Sequence, residues 1–169
     1  MSPNIIIQFI SFFIYWLLQV LLFRNVALFD TAFCFIYIGF LLLLPFEISL
    51  TTLLILGFSM GLAVDIFYDT AGVHAATMVI IAFIRPSIIQ FLRPSGGYEG
   101  VENPTLSKLG FNWFLLYAGI MTLIHHSILF LIQNSNFFLW ISNFFVILAS
   151  TLLTLFVLVI TQFLFYRSR

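Results

Sequence analysis

Asp65, Asp69, His74 and Arg85 are the residues whose types and spacing could do chemistry in this chain. They fall in one stretch, GFSMGLAVDIFYDTAGVHAATMVIIAFIRP, at 57–86. Gly57, Gly61, Asp65 and Asp69 follow at a spacing of four, which on a helix makes one slowly winding stripe, small at one end and acidic at the other. An ionised carboxylate at the centre of a bilayer costs at least ~2.5–3.5 kcal/mol, so an embedded Asp65 must face other helices. There it can serve a proton or solute site, or else a helix-packing contact or a cap for neighbouring backbone groups. Asp69 falls at the turn, where Gly72 can adopt the positive φ that lets one helix exit and the next begin. Counting from that turn, Asp65 lies about 8 Å down the helix, within reach of His74 and Thr77. Arg85 lies roughly 13 Å further on, out of reach of a direct bridge to Asp65. Arg85-Pro86 predicts a kink, with the guanidinium either snorkelling to the interface or satisfying freed carbonyls.

Other chemistry finds less support. His125 and His126 point about 100° apart on a helix and cannot line one site from the same face. No Glu or Cys stands near them to complete a metal set, and HEXXH, GxSxG and a glycine-rich phosphate loop are absent from the sequence. The residue pattern therefore points to no enzyme, no cofactor and no metal. Gly57 and Gly61, with Ser59 and Ala63 widening the smooth face, instead suit the close approach of another helix.

The elements that must position these residues are membrane spans. Hydrophobic residues make up 63% of the 169 and charged residues 7%, with a mean hydropathy of +1.18. A soluble domain carries about 25% charged residues, so this chain has too few to cover a surface in water. Net charge is zero with no basic run, which gives no nucleic-acid footprint. Cys34 alone can make no internal disulfide. The start, MSPNIIIQF, lacks the charge and cleavage pattern of a signal peptide and is expected to stay on as the first span.

Apolar runs predict an all-α integral membrane protein, a single domain over 1–169 with six transmembrane helices in one bundle. The expected spans are 5–23, 31–46, 49–68, 72–92, 109–133 and 138–166. The second is short, about 24 Å at 1.5 Å per residue. One loop has size, 93–108, with two Pro and three Gly. Arg93, Lys108, Arg167 and Arg169 share a side and Arg24 lies on the other. The positive-inside rule then makes both termini and that loop cytoplasmic.

The block Gly57, Phe58, Gly61, Leu62, Asp65, then Gly72, Val73, His74 and Ala75, resembles the signature of the bacterial rod shape-determining MreD family. Gln19, Pro45 and Arg85-Pro86 extend the match more weakly, and the motif resemblance covers about the first 95 residues. The resemblance implies a multi-pass protein of the bacterial inner membrane that acts in cell elongation as a non-enzymatic scaffold. It implies an MreC-like partner and, through it, an MreB-like filament, a RodA-like glycosyltransferase and a class B penicillin-binding protein of peptidoglycan synthesis. It also implies a fold like that of the substrate-binding subunits of energy-coupling-factor transporters, which supplies the alternative function, a solute-binding transport subunit. Such subunits engage their transporter through an alanine-rich face on the first span, whereas 5–23 here has only Ser11 as a small residue. The resemblance makes Gly57, Gly61, Asp65, Asp69, Gly72, His74, Arg85 and Pro86 the expected helix-packing, partner or ligand surface. No nucleic-acid partner is expected, and membrane lipids are.

Overall fold

A computed structural model describes residues 3–133 and 143–164. Five helices in it are long and apolar enough to cross a membrane, which marks the chain as a multi-pass helical membrane protein. Helix α1 (Pro3–Leu17) continues through a π-helical segment, Leu18–Phe23. A two-residue hairpin follows, β1 (Ala27–Leu28) paired antiparallel with β2 (Ala32–Phe33). The short α2 (Ile38–Leu42) leads to α3 (Leu50–Tyr68) and α4 (Val73–Phe91). After the loop come the single turn α5 (Leu106–Leu109), α6 (Phe111–Gln133) and α7 (Phe144–Leu164).

Four expected spans match these helices within a few residues, and α7 carries the described part of the sixth. Its expected ends at 138–142 and 165–166, with Arg167 and Arg169, lie outside the described residues. The expected second span is corrected. Residues 31–46 form no spanning helix but a strand end, an irregular stretch and the five-residue α2. Residues 34–42 are all buried. Burial is what allows it: non-helical backbone survives at membrane depth only where protein groups satisfy it. Here the Phe33 N–H donates to Ser150 Oγ (2.9 Å) and the Phe35 N–H to Thr154 Oγ1 (3.0 Å) on α7. The Tyr37 N–H donates to Gln19 Oε1 (3.4 Å). Further along, the Phe46 N–H donates to the Glu102 carbonyl (2.9 Å) in the long loop. The segment thus runs from the Ser150 end of the bundle to the loop end. At Gly39 a Cβ would sit 2.6 Å from the Leu158 side chain of α7 and 2.7 Å from the Tyr15 ring of α1, so any larger residue would have to displace both where the three elements meet.

The core lies around this segment, with Tyr37, Ile38 and Leu41 packed among Met60 and Val64 of α3, Met78 and Ile81 of α4, and Tyr117 and Met121 of α6. The outer faces are apolar as well: Ile66, Phe83 and Phe156 are each more than 60% exposed. A water-facing surface would not be built this way; a lipid-facing one would.

Candidate functional site

The α3–α4 hairpin is the tightest pairing in the bundle, and glycine is the reason. A Cβ on Gly57 would sit 2.9 Å from the Met78 carbonyl, and one on Gly61 2.6 Å from the Ala75 nitrogen. Both are clashes with rigid backbone, so the two glycines let α3 and α4 touch main chain to main chain. Their smooth face is used inside the fold.

The chain reverses between the helices through two left-handed residues, Asp69 (φ 55°) and Gly72 (φ 84°). Gly72 stands at the N-cap of α4 and has no side chain to accept from the exposed N–H groups of the first turn. Asp65 supplies that acceptor from across the hairpin. Its Oδ2 takes the Ala75 N–H (2.9 Å). Its Oδ1 takes the His74 N–H (3.0 Å), the His74 Nδ1 (3.0 Å) and the Thr70 hydroxyl. A carboxylate at a helix N-terminus also meets the positive end of the helix dipole. Asp65 is 3% exposed, and its charge is held by four donors. His74, fully buried, is its ion-pair partner when protonated. With Nδ1–H given to Asp65, His74 Nε2 has no hydrogen-bond partner among the described residues. Thr77, an expected neighbour of Asp65, instead donates to the Val73 carbonyl (2.8 Å).

Around His74 the interior is ringed. Tyr68, Tyr37 and Phe35 place their ring centres 4.9, 5.8 and 6.0 Å from the imidazole. Gln19 links three elements here: its Nε2 donates to the Tyr68 hydroxyl (2.6 Å) and the Cys34 carbonyl (3.1 Å). The Tyr37 hydroxyl meets His125 Nε2 (2.8 Å). His126 is held by the Thr122 carbonyl (2.6 Å) and Thr154 Oγ1 (3.2 Å). His125 and His126 take different hydrogen-bond partners, and both rings pack on Phe35, at 6.0 and 5.3 Å. The buried segment inserts between helices and touches both faces.

Arg85 is the second embedded charge. It does not snorkel: it is 1% exposed. Its Nε donates to the Tyr117 hydroxyl (3.1 Å), and its two terminal nitrogens donate to the carbonyls of Pro45 (3.5 Å), Leu42 (3.4 Å) and Leu44. Leu42 is the last residue of α2 and Leu44 and Pro45 follow its C-cap, so the guanidinium caps the end of that helix and the turn beyond it from another chain segment. Tyr117 adds a bond of its own to Leu42 O (3.1 Å). The freed carbonyls expected beside Pro86 are not the ones it serves, and α4 runs on through Pro86 to Phe91.

The hairpin thus brings Asp65, Asp69, Gly72 and His74 together at one end and leaves Arg85 and Pro86 at the other. Sequence reasoning missed the side chains of Thr70, Tyr37 and Tyr117. Thr70, a hydroxyl in the turn before a helix start, carried a usable signal; the two tyrosines carried none. Among the described residues no group of three His, Cys, Asp or Glu could hold a metal ion. Comparison with protein-family models, with curated proteins and with solved structures finds no match to this chain.

Proposed function

We propose that this chain is a non-enzymatic membrane scaffold of the bacterial cell-elongation machinery, an MreD-like protein acting through an MreC-like partner on peptidoglycan synthesis. The single observation that carries this reading is where the signature residues spend their chemistry. Both Asp65 oxygens are occupied by donors of the α3–α4 turn and of α4, and Arg85 is occupied by carbonyls at and just beyond the end of α2. A motif so consumed defines a shape and leaves the outer surface to do the work. The MreD-like pattern at 57–75 names the machinery. In this reading 31–46 crosses the bilayer as a buried, largely non-helical sixth passage, and the termini and the 93–108 loop are cytoplasmic in the inner membrane.

Co-purification from native membranes tests it. Enrichment of an MreC-like protein is expected; its absence, with tight binding of a small solute instead, overturns the reading. A C-terminal reporter active only in the periplasm would overturn the topology.

The second reading, a solute-binding subunit of a transporter, draws on the buried nitrogens His74 Nε2 and His125 Nδ1, which have no partner among the described residues. It needs an open polar cavity beside Asp65, His74 and His125. Phe35 and Tyr37 occupy the space against both imidazoles, which weighs against it.

A further inference from the structure

A cavity of about 540 Å³ opens at the loop end of the bundle, walled by α1, the α2–α3 connection and the loop at 98–103. Its floor is apolar, with Phe40, Leu43 and Pro45. Its rim carries Glu47, Glu99 and Glu102, three of the chain's six acidic residues. No Lys or Arg lines it among the described residues. Gln8 and Ser11, whose side-chain oxygens can also accept, line it from α1.

The walls are built. The Phe46 N–H donates to the Glu102 carbonyl, and the Tyr98 ring stacks on Phe46 at 4.5 Å. The Tyr98 hydroxyl donates to the Ile89 carbonyl (2.7 Å). Burial raises the Tyr98 phenol above its ordinary value, so this bond holds through neutral pH. From beneath, Arg85 grips the carbonyls of Leu44 and Pro45, two of the residues that line the cavity.

An acceptor-rich rim over an apolar floor takes a cation on an apolar stem. The cavity borders α1, from which Ile7 lines it, while Phe9 and Ile10 of the same helix are exposed. Lysine and arginine concentrate within a few residues of the cytoplasmic ends of membrane helices, the depth at which this cavity opens in the topology above. We propose that the cavity is the receptor for a basic juxtamembrane side chain of a partner's transmembrane helix. The proposal rests on the scaffold reading for a membrane partner and on its topology for the cytoplasmic depth of the cavity; the acidic rim and apolar floor stand without either.

The test uses the full chain in phosphatidylcholine nanodiscs and a dye-labelled synthetic leucine-alanine transmembrane peptide ending in two arginines. A twin peptide ending in two glutamines is the reference. The arginine peptide is expected to bind at least tenfold tighter than the twin, and the triple variant Glu47→Gln, Glu99→Gln, Glu102→Gln to lose that preference. Ser11→Phe, which fills the cavity from α1 without changing a charge, is expected to lose it too. Asp30→Asn, on the exposed far turn, is expected to keep it. Equal binding of the two peptides, or a preference unchanged in both the triple variant and Ser11→Phe, overturns the proposal. Because the probe is synthetic, a failure to recover an MreC-like protein from cells would leave this result standing, and the reverse also holds.

Discussion

Asp65 and Arg85 lie at opposite ends of one helical hairpin and solve the same problem by different routes. Each buries a charge among apolar helices, and each does so by capping a short run of unsatisfied backbone. The Asp65 donors lie within ten residues of it in sequence, at Thr70, His74 and Ala75. The Arg85 acceptors lie about forty residues away, on a segment that would otherwise have an open helix end at membrane depth. Local capping makes a rigid turn, whereas distant capping ties the irregular segment into the bundle. The difference predicts that the Arg85 end is the more costly to break.

Replacing Arg85 by Met leaves the Leu42, Leu44 and Pro45 carbonyls and the Tyr117 hydroxyl short of partners, at about 3–5 kcal/mol for a broken buried polar cluster. Thermal unfolding in detergent should show the largest drop of any single change at this end. Arg85→Lys should recover less than half, because an ammonium lacks the planar fork that reaches several acceptors at once. Gly61→Leu comes next. Forcing a side chain into the Ala75 backbone should separate α3 from α4 at a cost of roughly 2–3 kcal/mol, and hydrogen exchange should rise at His74 and Ala75 before it rises elsewhere. Ser49→Ala removes the α3 N-cap, in which Ser49 Oγ accepts from the Thr52 N–H (3.2 Å); about 1 kcal/mol is expected. Gly119→Ala is the smallest. Its Cβ would meet only Leu155 at 3.7 Å, an ordinary contact, so the thermal midpoint should stay within a degree or so of wild type. Alanine is the better helix former, so a large loss there would mean that a methyl group is excluded even where only an ordinary contact awaits it, against the close-approach account on which the comparison depends.

The same contrast accounts for what could be read in the sequence. Apolar length and glycine spacing are local properties, so four spans and the close-packed face of α3 were legible. Depth arithmetic along a helix placed Asp65 beside His74 for the same reason. Arg85 was misplaced because its acceptors belong to 42–45, and that segment was taken for a spanning helix. Its apolar run from Cys34 to Leu44 has no periodicity that distinguishes a helix from a buried irregular chain. Pro45 and the shortness of the run were the available hints. What decides its conformation is distant: Ser150 and Thr154 of α7 and Gln19 beyond α1 accept its N–H groups, and no spacing rule connects them to it. The joint packing of His125 and His126 on Phe35 escaped for the same reason, since a helical wheel has no place for a third element inserted between faces.

A proton-coupled role for Asp65 remains the sharpest rival to a structural one, and Asp65→Asn separates them. Asparagine keeps one carbonyl oxygen but turns the other acceptor into a donor facing the Ala75 N–H or the Thr70–His74 group. About 2–3 kcal/mol of stability should go with it. The decisive measurement is made on one membrane preparation of this variant: its thermal midpoint together with the recovery of an MreC-like partner. A lowered midpoint with partner recovery falling in step is the result expected of a structural carboxylate in a scaffold. An unchanged midpoint and full partner recovery, in cells that nonetheless lose their rod shape, would contradict it.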